Sequence, residues 1–229
     1  MMKDGGESMK WTVAAVYTGQ GLADPLKKIF DELLPDCRLV NLIDDGLIHD
    51  VVRAGEITPL VSKRLLTYYR NAEELGADVI LNTCSSVSEA VDRARPFVSV
   101  PIVKIDQEMA LEAVSRYARI GVIATLPTTL QPTKALLLSQ AEAIGQKVAL
   151  ADGLAAGAYD ALVAGKPEEH DALIANAAAG LAGSVDAIVL AQGSMARMEA
   201  ALREKTGKPV LSSPRSGVMA VKRALESLS

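Results

Sequence analysis

Residues 81–88 read LNTCSSVS and carry one of the chain's two cysteines, Cys84, at the end of an apolar run and among hydroxyls. Behind it SSVSEAVDRAR has helical character, with Ser86 and Glu89 spaced as a capping box. A thiol at such a helix start lies near unpaired N–H groups and the positive end of the helix dipole. Its pKa is therefore expected below the free value of about 8.5. The same N–H groups, with the hydroxyls of Thr83, Ser85 and Ser86, form a cradle for a carboxylate or a developing enolate. A cysteine that ends a buried strand also serves as a small packed residue. That is the reading given to Cys37, which has no comparable surroundings.

Other residues suited to chemistry sit at similar turns. YTGQG at 17–21 contains only GxG, with Asp24 where a third glycine would be wanted, so the dinucleotide signal is weak. Asp44, Asp45 and His49 follow the next apolar run, and His49 is the better acid/base candidate of the two histidines. His170, in the polar run KPEEHD, is expected in solvent. In TLPTT at 125–129, Thr128 or Thr129 can cap the helix that follows, or bind a carboxylate in a cleft opposite Cys84. Neither the cysteines nor the histidines have metal-ligand spacing, so no metal is expected.

These turns need elements to hold them. Short apolar runs at 11–17, 37–43, 78–82 and 101–105 alternate with amphipathic stretches, and a second series follows at 119–125, 147–151, 186–191 and 209–212. This is the pattern of a parallel sheet covered by helices, met twice. The two series superpose at a constant offset around Cys84. Asp78 falls on Asp186, Ile80 on Ile188, Ser86 on Ser194 and Pro101 on Pro209, each 108 positions apart. The expected fold is α/β, with two similar, duplicated domains, each a mostly parallel four-stranded sheet flanked by helices. Residues 10–115 form the first half and 116–215 the second, with a last helix at 216–227 returning across the junction and 1–9 as a disordered or tag-like tail. The carboxyl ends of both sheets then surround one cleft, where open α/β sheets bind ligands.

Composition fits. Hydrophobic residues make up 49% of 229 residues and charged residues 23%, as in a globular α/β protein. The net charge of -4, with no basic stripe, argues against nucleic acid as partner. No apolar run is long enough to span a membrane, and two cysteines make no disulfide framework, which implies a reducing, cytoplasmic setting. The apolar, aromatic-poor composition leaves room for a dimer.

DVILNTCSSVSEAV, RIGVIATLPTT and DAIVLAQGSM, in this order and at the duplicated spacing, resemble the aspartate/glutamate/hydantoin racemase superfamily. The resemblance covers nearly the whole chain. It implies two α/β domains with the active site between them, no cofactor, and a small carboxylate as substrate. In the racemases one cysteine from each half faces each side of the substrate α-carbon; one thiolate removes a proton and the other thiol returns one. Cys84 matches the first of these cysteines, with Thr83 and Ser85 where the family binds the substrate carboxylate. Thr125 and Thr128 match another ligand-binding turn. At the second site the usual LGCTH or LGCAG appears as LAQGS, so Gln192 stands in place of the second cysteine, followed by Gly193 and Ser194.

An amide has no useful pKa and cannot return a proton as a thiol does. Gln192 suits binding or orientation, and Ser194 suits capping or ligand contact. The resemblance thus implies a cofactor-independent isomerase of the racemase/epimerase type. It would act on a small carboxylate or hydroxy/keto acid through Cys84, with His49, an aspartate or Tyr17 completing the transfer. Arylmalonate-decarboxylase-like chemistry, covalent addition to an unsaturated acid, and a non-catalytic small-acid binding or regulatory protein are the alternatives.

Overall fold

The computed structural model describes residues 10–19 and 21–228, so the N-terminal tail expected at 1–9 lies outside the described residues. The chain runs β1 (Trp11–Tyr17), α1 (Ala23–Leu33), β2 (Cys37–Ile43), α2 (Gly46–Ala54), α3 (Pro59–Glu74), β3 (Val79–Asn82), α4 (Ser88–Ala94), β4 (Ile102–Lys104) and α5 (Gln107–Arg116). It continues through β5 (Arg119–Ala124), α6 (Pro127–Ala143), β6 (Ala149–Leu154), α7 (Ala158–Val163), α8 (Pro167–Leu181), β7 (Ala187–Leu190), α9 (Glu199–Thr206), β8 (Val210–Ser212) and α10 (Ser213–Glu226). Two four-stranded sheets result, ordered β2-β1-β3-β4 and β6-β5-β7-β8, and every pairing is parallel.

The duplication is visible bond by bond. In the first sheet the Asp78 carboxylate accepts from Thr12 N at 2.8 Å, and in the second Asp186 accepts from Arg119 N at 2.9 Å. Thr83 N donates to Val16 O in one half, and Ala191 N to Ile123 O in the other. Equivalent aspartates thus open the third strand of each half, and equivalent bonds end it. That brings the turns carrying Cys84 and Gln192 to corresponding places.

Central parallel strands are covered on both faces and read as unbroken apolar runs. Alternate residues of β1 go to opposite sides. Ala14 and Val16 pack with Leu47, Leu65 and Val91 beneath α2, α3 and α4; Val13, Ala15 and Tyr17 pack with Leu26, Phe30, Val218 and Leu225 of α1 and α10. In the second sheet, Ile120, Val122 and Ala124 pack with Met109 and Ala113 of α5 and Leu137 of α6, while Ile123 and Ile188 meet Ile174 of α8 and Leu202 of α9. The last helix of each half therefore covers the other half's sheet. Val218, Val221 and Leu225, on one face of α10, are the buried residues that carry this return.

Two elements differ in detail from the expectations. β6 runs on to Leu154, three residues beyond the apolar run at 147–151. It is an edge strand in register with β5 to the end, and its Asp152 pairs with Lys134 at 2.6 Å. Gly153, which signals a turn in sequence, lies where a Cβ would meet Ile123 Cδ1 at 2.3 Å; close packing selects the glycine. The last helix starts earlier than residue 216, at Ser213. Among the described residues no helix is long and apolar enough to cross a membrane.

Candidate functional site

The ends of β1, β3, β5 and β7 surround a cavity of about 760 Å³. Thr83, Cys84, Ser85 and Ser86 line it from the first half, with His49 and Asp45 beyond β2. Thr125, Gln192, Gly193 and Ser194 line it from the second. Most of the candidate residues named from sequence are thereby brought together. Thr128 is not: it lies on the wall of an adjoining cavity of about 770 Å³, which shares Ser86 and Leu126 with the first, and its Oγ1 has no hydrogen-bond partner among the described residues. Tyr17 is not either. Its side chain is 1% exposed in the first half's core, its hydroxyl lacks a partner among the described residues, and burial drives its pKa far up, so it is removed from the proton-transfer candidates.

The Cys84 turn is rigidly held. Asn82, fully buried, accepts from Tyr69 Oη at 3.0 Å and donates through Nδ2 to Cys84 O at 3.0 Å. Thr83 Oγ1 donates to Val16 O at 3.0 Å. Ser85 Oγ donates across the junction to Ala191 O at 3.2 Å, and Ser86 Oγ shares a hydrogen bond of 2.8 Å with Thr129 Oγ1. Three of the expected ligand hydroxyls are thus engaged with protein, two of them tying the halves together.

The capping box does not form. Ser85–Val87 make a single 3-10 turn before α4, and Ser86, instead of capping, faces Thr129. Thr128 and Thr129 likewise do not cap α6, which opens at Pro127 after Leu126. Ser194 does not cap the turn after Gln192 and stays exposed at the cavity.

The expectation of a lowered thiol pKa is also overturned. Burial pushes Cys84 up. Hydrogen bonds from the Thr18 hydroxyl and from the N–H and hydroxyl of Ser86 act in the opposite direction, and the nearby Asp106 carboxylate adds to the rise. A one-turn 3-10 element has little dipole to offset the loss of water. Cys84 is still half-buried by surface, since it lines an open cavity, so a bound ligand would deepen the desolvation.

Gln192 is a clamp. Its Oε1 accepts from Thr125 N at 3.0 Å and its Nε2 donates to Thr125 Oγ1 at 2.5 Å. Both ends of the amide are engaged with the turn after β5. Gly193 beside it packs closely on Leu22: a Cβ there would meet Leu22 Cδ2 at 2.8 Å and make that side chain shift. His49 lies exposed at the rim. His170, expected in solvent, is 1% exposed, with Nδ1 at 2.8 Å from Asp171 Oδ1; α8 buries it against its own half, far from any role at Cys84.

Three residues escaped the sequence reading. Thr18 follows β1 and reaches the thiol; Asn82 shapes the turn; Asp106, 1% exposed, is held above the usual carboxylate range by burial and lies near Ser85 and Ser88. Thr18 directly follows β1 and Asn82 is the last residue of β3, and a place at a strand end is a signal for such roles. Asp106, ahead of α5, reads as an ordinary helix-start residue. Among the described residues no group of His, Cys, Asp and Glu could hold a metal ion.

Two parallel four-stranded sheets with a thiol, hydroxyls and an amide between their strand ends define the duplicated α/β racemase architecture. The Asp/Glu/Hydantoin racemase family model matches residues 18–221, and the chain belongs to that family. Solved structures with the same fold include glutamate racemase isoform RacE1 from Bacillus anthracis, at 12% identity and TM-score 0.74, covering 96% of this chain and 84% of that one. Allantoin racemase from Klebsiella pneumoniae matches at 17% identity and TM-score 0.66, over 95% and 88% of the two chains. An unliganded arylmalonate decarboxylase matches at 16% identity and TM-score 0.56, over 94% and 93%. Comparison with curated protein sequences gives no match.

Proposed function

We propose that the chain is a cofactor-independent isomerase of the racemase/epimerase type, moving a proton at the α-carbon of a small carboxylate or hydroxy/keto acid through Cys84. The observation that carries this reading is the position of Cys84 in the cavity between the halves, with the Thr18 hydroxyl and Ser86 N–H directed at it. In this reading the thiolate takes the α-proton and the bonding pair passes into the carboxylate as an enediolate. The same thiol, or water reached from the His49 rim, returns a proton.

A raised pKa suits a base more than a leaving group. Less thiolate is present at pH 7, but what is present is more basic, which favours removal of a weakly acidic C–H proton. Gln192, fully engaged with Thr125, orients the opposite turn and does not titrate.

Transfer of solvent deuterium to the α-carbon of small chiral acids tests the reading. Exchange that disappears in Cys84→Ala supports it, and absence of exchange across mandelate, lactate and the common amino acids rejects it. The lack of a second thiol at Gln192 favours one alternative, decarboxylation of a malonate followed by protonation of the enediolate by Cys84. Carbon dioxide release from a substituted malonate, without α-exchange of a monoacid, distinguishes that case.

A further inference from the structure

The cavity around Cys84 is walled by both halves, and the two walls differ in their ionisable groups. The first half brings Cys84, Asp45 and His49. Among the described residues the second half brings one such group, the phenol of Tyr159. Tyr159 is the second residue of α7, which follows β6 as α2 follows β2 in the other half. The two sheets share one strand order, so α2 with His49 and α7 with Tyr159 occupy corresponding places about the cleft, as the Cys84 and Gln192 turns do.

The other polar side chains of the second-half wall are engaged or weakly acidic. Thr125 and Gln192 hold each other, and Thr129 holds Ser86. Ser194 carries an aliphatic hydroxyl, which gives up its proton far less readily than a phenol with an ordinary pKa of about 10. The Tyr159 hydroxyl makes no hydrogen bond to the protein among the described residues. Partial burial and the neighbouring Asp160 carboxylate hold its pKa above the ordinary value, so it carries its proton at neutral pH.

Inversion at an α-carbon takes a proton from one face and delivers another to the opposite face. A ligand held between the halves shows one face to each. Asp45 and His49 share the first half with Cys84, so they serve the face that Cys84 serves; a donor on the second half serves the other. On the proton-transfer reading above, we propose that Tyr159 is the second catalytic residue, the acid that protonates the enediolate on the face opposite Cys84. The Cys84 thiolate takes the α-proton and becomes a thiol, and the electron pair passes into the carboxylate. The phenol O–H bond then breaks as the new C–H bond forms, leaving tyrosinate. The proton on Cys84 Sγ passes through solvent water to the Tyr159 oxygen, which restores thiolate and phenol and consumes no other reagent. In this scheme Tyr159, rather than the thiol itself or water from the rim, completes inversion.

Isotope placement reads the two faces separately. Each enantiomer of mandelate, lactate, glutamate and aspartate is incubated with the enzyme in D2O, and deuterium is measured by NMR in remaining substrate and inverted product early in the reaction. For the enantiomer whose proton meets Cys84, the product should carry solvent deuterium while the remaining substrate keeps its proton. In Tyr159→Phe, inversion should fall at least about 100-fold, the loss expected of a general acid. The same enantiomer should still exchange its α-proton with retention, because the enediolate waits on Cys84 until the thiol has exchanged with solvent; the other enantiomer should not exchange. Product that keeps the substrate's own proton overturns the assignment, and this measurement on the parent needs no variant. Inversion in Tyr159→Phe within about tenfold of the parent also overturns it. Equal loss of exchange from both enantiomers in that variant marks a structural role and overturns it as well. These three outcomes leave proton transfer by Cys84 standing. Absence of exchange and inversion of every acid in the parent rejects proton transfer itself, and the role of Tyr159 falls with it.

Discussion

The pH dependence of Cys84 alkylation bears most directly on the site, because the sequence and the structure point in opposite directions. A thiol lowered by a helix start to a pKa of about 7 would be roughly half ionised at pH 7, so its reaction rate would rise less than twofold to pH 8. A free thiol near 8.5 is about 3% ionised at pH 7. Burial takes Cys84 above its ordinary value despite the Thr18 and Ser86 hydrogen bonds. The rate constant with iodoacetamide should then rise nearly tenfold from pH 7 to pH 8 and still be rising at pH 8.5. Measured in Cys37→Ala under pseudo-first-order conditions, the profile gives the pKa from its midpoint. The initial slope of deuterium exchange should follow the same curve, because the thiolate is the base in the proposed reaction. A plateau below pH 8.5 would falsify the claim that desolvation outweighs the hydrogen bonds around the sulfur.

Other measurements address the supports of the site. Gln192→Ala leaves the Thr125 N–H, in a residue 7% exposed, without its partner; the expected cost is about 1–3 kcal/mol, or a fall in Tm of roughly 2–4 °C per kcal/mol by calorimetry. Thr129→Val removes the partner of Ser86 Oγ inside the junction and should cost about 1 kcal/mol in urea unfolding, with the Cys84 profile moved to higher pH if Ser86 then turns from the sulfur. Asp106→Asn removes a carboxylate that raises Cys84, so the alkylation profile should move to lower pH; an upward move would contradict the arrangement. Cys37 is pushed up to about 11 by burial. Its folded-state pKa is above the unfolded one, so its contribution to stability is complete below about pH 8.5 and is lost as pH rises toward 11. Discounted for the solvent that still reaches the group, the loss amounts to no more than about 2 kcal/mol, seen as the difference between the parent and Cys37→Ala in urea unfolding at pH 7.5 and 10.5.

The architecture was legible because its signals are periodic and repeated. Eight apolar runs, the 108-position offset and the paired aspartates Asp78 and Asp186 reappear as two sheets with matching bonds at their edges. Burial of both faces forces such strands to read as apolar runs, so the sequence has little freedom to disguise them. The chemistry at the strand ends was less legible. Ser86 and Glu89 have capping-box spacing, but Ser86 found a better partner in Thr129, 43 positions away, and no local rule registers that competition. Tyr17 and Thr18 are neighbours at the end of β1 and point to opposite environments, core and cavity, as strand alternation requires. The alternation was available in the sequence; which of the two residues faced the cleft depended on how α1 and α10 cover the sheet.

The asymmetry between the halves has a physical consequence for how one thiol can work. The turns after β3 and β7 are equivalent in backbone, yet one carries a group that can change charge and the other an amide already engaged at both ends with Thr125. A symmetric site divides proton removal and return between two sulfurs fixed on opposite sides of the substrate. Here the Gln192 turn supplies rigidity, and Ser85 Oγ, bonded to Ala191 O, transmits that rigidity to the residue following Cys84. Replacing Gln192 by Cys would add a second thiol but remove both bonds to Thr125, so gain of proton-donating capacity and loss of positioning act together. If positioning dominates, α-exchange by Gln192→Cys should fall, with the same drop in Tm as Gln192→Ala. If the missing donor is what limits the reaction, exchange should rise despite the lower Tm, and the view of Gln192 as chiefly an orienting clamp would have to be abandoned.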